Sequence, residues 1–146
     1  MTFVPQSTNN LWVRISKPNP QARLRLFCFP YAGGAASIYR TWSQYLPAEI
    51  EVCAVQLPGR ENRIRERAFA DLVALVQALR PHLSAYLDKP FALFGHSMGA
   101  LIAYEVARQL QLDGQTPTHL LVSGRRAPIL PETDVLLHNI TSDEKF

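Results

Sequence analysis

The sequence predicts an α/β fold, a mostly parallel sheet with helices on both faces. Three observations carry that expectation. Short apolar runs, each closed by or followed by proline, glycine or a polar turn, recur at residues 24–29, 52–57, 91–94 and 118–123. Helical periodicity fills the intervals, and strands alternating with helices at this spacing form parallel βαβ units. A chain of 146 residues with 47% hydrophobic and 18% charged residues has the size and composition of one globular domain.

The elements follow in order. Residues 1–22 are polar, carry three prolines and read as an arm or an edge strand, ahead of a core at 23–124. LRLFCF ends at Pro30 as a buried strand does. The glycine loop PYAGGAAS follows, then a helical pattern with Ile38, Trp42, Tyr45 and Leu46 on one face. VCAVQL is the second strand, stopped by Pro58-Gly59 and followed by an arginine-rich loop. From 71 to 87, Leu72, Leu75, Val76, Leu79, Leu83, Tyr86 and Leu87 keep a period near 3.6. Asp71 is placed to cap that helix, and Pro81 to kink or split it. Residues 91–94 form the third strand, 98–110 the next helix and 118–123 the fourth strand, closed by Gly124. The tail from Arg125 is polar and proline-broken, with Asp143-Glu144 placed to begin another helix. Cys28 and Cys53 lie inside apolar runs and read as small core residues of a reducing compartment.

Several function classes fall away. The net charge of +3 is mild, and no basic stripe interleaves with aromatics, so no nucleic-acid partner is expected. The N-terminus has neither the basic start nor the apolar run of a signal peptide. The longest uncharged stretch, 90–104, is fifteen residues and broken by glycines, whereas a membrane span needs about 20 apolar residues. A cytoplasmic protein without membrane attachment is expected.

FALFGHSMGALIAYE, residues 91–105, carries the chemistry. A serine hydroxyl is a weak nucleophile and must be presented to a base. A sharp turn between strand and helix lifts Ser97 above the sheet edge, and Gly95 and Gly99 remove the side chains that would clash there. This is the G-x-S-x-G nucleophile elbow in its required context, strand before and helix after. The Met98 N–H then stands at a helix N-terminus, facing developing negative charge. The second oxyanion donor is expected from the loop after the first strand, with the Ala32 N–H first and the Tyr31 N–H next. In parallel sheets ligands sit beyond the carboxyl ends of the strands, so these loops converge on one edge.

LFCFPYAGG, VQLPGRENR, FALFGHSMGALIAYEVA and SGRRAP, in this order and spacing, resemble type II thioesterases. These are stand-alone α/β-hydrolase enzymes accompanying non-ribosomal peptide and polyketide synthases. The resemblance implies hydrolysis of acyl or aminoacyl thioesters on the phosphopantetheine arm of carrier proteins, clearing wrongly loaded carriers. By it Ser97 is the acylated nucleophile, and the N–H groups of Met98 and Ala32 hold the oxyanion. The phosphopantetheine is covalently part of the substrate, so no dissociable cofactor and no metal is expected. The partners implied are acyl or peptidyl carrier proteins.

The acid and histidine of the triad are not evident. In this fold they follow the serine on loops after later strands. Only 49 residues follow Ser97, and two more βα units need about 30 residues each. His96 lies inside the elbow and is expected to face away from Ser97, His82 belongs to an earlier helix and His119 opens a strand. His138, with Asp134 four residues before it, reads as a surface pair. Residues 125–146 look like the start of the family's helical lid, and the chain reads as the N-terminal part of a hydrolase. Losing a triad histidine costs about 10⁶-fold in kcat, so activity from elbow and oxyanion hole alone is expected to be slight.

Arg60, Arg63, Arg65 and Arg67 against Glu61 and Glu66 give a local charge of +2. The plain reading is a solvated loop. The functional one is a basic rim steering acidic carriers, formed with Tyr31, Arg125 and Arg126. Two other readings stay open: a carboxylesterase-like serine hydrolase, and a truncated, non-catalytic carrier-binding relative.

Overall fold

The computed structural model of the protein describes residues 10–127. Its elements run β1 (Val13–Arg14), β2 (Leu24–Phe29), β3 (Ile50–Val55), α1 (Leu72–Leu83), β4 (Phe91–His96), α2 (Met98–Leu112) and β5 (His119–Ser123). The sheet order is β1-β3-β2-β4-β5, with only β1 antiparallel to its neighbour. The described part of the N-terminal segment is thus an edge strand, and its Trp12 and Val13 belong to the main core.

Strand period 2 divides the core between the faces. Phe27, Phe29, Cys53, Val55, Phe91 and Leu93 meet α1 and α2 on one face. Leu26, Cys28, Val52, Ala54 and Ala92 face the other. Helical cover is unequal. Both α-helices share the first face; the second is covered by two 3-10 turns, Ala36–Tyr39 and Trp42–Gln44. This replaces the single helix expected there. Ile38, Trp42 and Leu46 do pack on the sheet, but Tyr45 is 82% exposed.

The second strand lies two residues earlier than its apolar run suggested, because pairing with β2 begins at Leu24 opposite Ile50. Gln56 and Leu57 are then buried beyond the strand end. Asp71 caps α1, its side chain accepting the Ala74 N–H at 2.8 Å. Pro81 neither breaks nor splits α1. The helix runs two residues past it and tightens into the 3-10 turn Ser84–Tyr86, one turn after the missing proline donor. Both cysteines are free and buried, and burial pushes their thiols up, as expected of core residues. Among the described residues no helix is long and apolar enough to cross a membrane. The expected lid start beyond residue 127, with Asp134, His138, Asp143 and Glu144, lies outside the described residues.

Candidate active site

β2 is flanked by β3 on one side and β4 on the other. Strand order reverses there, which in parallel sheets opens a crevice at the carboxyl ends. The glycine loop leaves the end of β2 and Ser97 leaves the end of β4, in the register that pairs Phe29 with Gly95.

Ser97 occupies φ 55°, ψ −116°, a conformation L residues rarely adopt. Its N–H donates to the Ser123 carbonyl at 2.8 Å and its carbonyl accepts from Ala100 at 3.0 Å, so the strained turn is fastened at both ends. The glycines do what the motif requires. A Cβ on Gly95 would overlap the Gly99 carbonyl, and one on Gly99 would overlap the carbonyl of Phe29. The elbow is therefore packed directly against the end of β2, where the glycine loop begins. Met98 opens the fifteen-residue α2, and its N–H has no carbonyl four residues back within that helix.

In the glycine loop, the Gly34 N–H donates to the Tyr31 carbonyl at 2.9 Å, closing a turn around Ala32 and Gly33. Gly33 has φ 76°, which that turn requires. Tyr31, Ala32 and Gly33 are exposed, and Tyr31 meets the His96 ring edge-on at 6.1 Å. A cleft of about 440 Å³ lies between this loop and the arginine loop, lined by residues including Ala32, Gly34, Pro58, Arg60, Ile64 and Ala68.

The arginines do not act alike. Arg63, expected at the rim, is 4% exposed and turned inward. It binds both Glu66 oxygens, donates to the Gln56 carbonyl and lies 4.1 Å from the Trp12 ring centre. The rim reading is withdrawn for Arg63, because its charge is already paired and its plane stacked. Arg60 is half-buried and donates to the Gly34 carbonyl at 2.9 Å; burial pulls its pKa down. Arg65 and Arg126 are exposed and Arg125 is half-buried.

The described histidines are engaged away from Ser97. His96 Nδ1 is 3.0 Å from Ser123 Oγ, His82 stacks on Trp12, and His119 Nδ1 is 3.2 Å from Thr118 Oγ1. No group of three metal-ligating side chains occurs among the described residues. Gln56 is a participant that sequence reasoning missed. It is fully buried and bonded to both loops, and a polar residue ending an apolar strand was its only signal.

Residues 24–145 match the family model described as Thioesterase domain. The chain belongs to the thioesterase domain family. Within that family it is 46% identical over 147 residues to the Gramicidin S biosynthesis protein GrsT of Aneurinibacillus migulanus, covering 100% of this chain and 56% of GrsT. It is 38% identical over 133 residues to the S-acyl fatty acid synthase thioesterase, medium chain, of Homo sapiens, covering 88% of this chain and 48% of the human protein. The solved type II thioesterase BorB, from the borrelidin biosynthetic cluster, matches 91% of this chain with 57% of its own, at a TM-score of 0.81 and 40% identity. The chain spans about half the length of these thioesterase relatives.

Proposed function

We propose that the protein is a thioesterase that hydrolyses acyl or aminoacyl thioesters carried on the phosphopantetheine arm of acyl or peptidyl carrier proteins, with Ser97 as the nucleophile. The observation that carries this reading is the strained Ser97 between Gly95 and Gly99, in a chain of the thioesterase family. Names such as S-acyl fatty acid synthase thioesterase and type II thioesterase support a carrier-bound substrate.

In the first half-reaction Ser97 Oγ attacks the thioester carbonyl and its proton passes to a base. The oxyanion that forms is held by the N–H groups of Met98 and Ala32. Collapse of the tetrahedral intermediate breaks the C–S bond, and the pantetheine sulfur leaves with a proton. Water then releases the acid and restores the serine. His82, His96 and His119 are bonded or stacked elsewhere, so in this proposal the base comes from outside the described residues. The phosphopantetheine arrives attached to its carrier, so the reaction as proposed uses no dissociable cofactor. Tyr31, Arg60, Arg65, Arg125 and Arg126 remain candidates for the carrier rim.

The test is to incubate the whole protein with a fluorophosphonate and, separately, with acyl-loaded carrier protein. Labelling of Ser97, with carrier hydrolysis lost in Ser97→Ala, is expected. Turnover of short oxygen esters but not carrier thioesters would favour a carboxylesterase. Carrier binding without labelling would favour a non-catalytic binder.

A further inference from the structure

Three hydrogen bonds tie the glycine loop to the segment after β3, and two more hold Gln56 within that segment. Gln56 Oε1 accepts the Ala36 N–H at 2.8 Å, while its Nε2 donates to Asn62 Oδ1 at 2.9 Å and Glu61 Oε2 at 3.2 Å. Ser37 Oγ donates to Glu61 Oε1, and Arg60 Nη1 donates to the Gly34 carbonyl at 2.9 Å. The Ala36 donor fixes which end of the Gln56 amide faces it, since only Oε1 can accept. A fully buried amide is a costly filler where an aliphatic side chain would pack, unless its bonds set something in place. Glu61 itself holds φ 44°, so the backbone is bent to bring its carboxylate to both partners.

These bonds end two residues after Ala32. On the other side, the chain is pinned where Gly99 packs on the Phe29 carbonyl. Between the two anchors Tyr31, Ala32 and Gly33 are exposed, and a Cβ at Gly33 would have no neighbour within 4 Å. The position of the Ala32 N–H therefore depends on how firmly Gly34 and Ala36 are held.

We infer that Gln56 and Arg60 are positioning residues for the oxyanion donor at Ala32, so the loop after β3 acts as a buttress of the oxyanion hole and not only as a rim. The inference rests on the thioesterase reading. A preorganised donor works only if it stays put during the reaction, and a shift of about 1 Å can cost about a hundredfold in rate.

Arg60→Met, Arg60→Lys and Gln56→Leu test this in the whole protein, with rates expressed per fluorophosphonate-titrated Ser97. Arg60→Met is expected to lower kcat about tenfold with KM within about twofold, and Gln56→Leu about a hundredfold. Arg60→Lys, which still donates to Gly34, should regain most of the loss. Inhibition by an acyl-analogue boronic acid, whose tetrahedral adduct fills the hole, should weaken by the same factors. Unchanged kcat per titrated site would overturn the inference, because a residue serving only the fold lowers the number of sites and not the rate of each. A readout independent of hydrolysis guards against failure of the thioesterase reading itself. Amide exchange across residues 31–36 should quicken in Arg60→Met relative to β2 and α2. Exchange unchanged in that segment would overturn the positioning role, whatever the protein hydrolyses. Loss of hydrolysis in no variant, Ser97→Ala included, would sink the thioesterase reading instead.

Discussion

On the proposed reading, Ser97 sets function against stability at one residue. A side chain at φ 55°, ψ −116° stores strain of about 1–3 kcal/mol, which the surrounding bonds to Ser123 and Ala100 must hold. Glycine reaches that region freely. Ser97→Gly should therefore raise the urea-unfolding free energy by about 1 kcal/mol while abolishing turnover, whereas Ser97→Ala abolishes turnover and leaves stability nearly unchanged. Equal stabilities of the two variants would remove strain from the explanation. Arg63 is the opposite case, a charged residue whose whole role is in the fold. Removing it leaves Glu66 and the Gln56 carbonyl without their donor and uncovers the Trp12 ring, so Arg63→Ala should cost about 2–4 kcal/mol in urea unfolding. Charge reversal aimed at carrier association accordingly belongs at exposed Arg65. Arg65→Glu should slow association at low salt without moving the unfolding midpoint.

At the scale of elements, the loops after β2 and β3 behave as one unit, and Glu61 gives that unit a pH dependence. The Ser37 hydroxyl first, and then the Gln56 amide, hold its carboxyl below the ordinary glutamate range. A depressed carboxyl adds stability that is present above its unfolded pKa and is lost as pH falls through the folded one. Wild type should thus be more stable than Glu61→Gln at pH 7, and the gap should narrow as pH falls below the ordinary glutamate range. A gap that stays constant throughout acid titration would mean that shape, not charge, joins the loops. This coupling was not legible in the sequence, and the reason is physical. Strand runs, the Asp71 cap and the elbow are local signals, written within a few residues of one another. The bonds from Gln56 to Ala36 and from Arg60 to Gly34 span 20 and 26 positions and exist only once β2 and β3 lie side by side. The same distinction explains the 3-10 turns over 36–44. Periodicity marked Ile38, Trp42 and Leu46 as facing the sheet, but not the tighter winding between them.

For the whole molecule, the outer strand carries the last consequence. Among the described residues β5 is the sheet edge opposite β1, and it is exposed on both faces, with Leu120, Leu121 and Val122 at 37%, 46% and 54%. β1 differs from it, being only two residues long, with Val13 buried and Arg14 turned to solvent. An apolar strand with unpaired N–H and C=O groups is a template for another strand. The effect of this exposure is measurable on the 146-residue chain expressed alone. Sedimentation should show association that grows with protein concentration and is insensitive to salt, since the contact is apolar and main-chain in character. Val122→Lys should shift the chain toward monomer, because a charge on an edge strand opposes strand pairing. Gln111→Lys, exposed in the last turn of α2, serves as a surface-charge control and should not. A monodisperse, cooperatively melting monomer at high concentration would show that β5 is protected in the isolated chain, and would end the edge-pairing explanation.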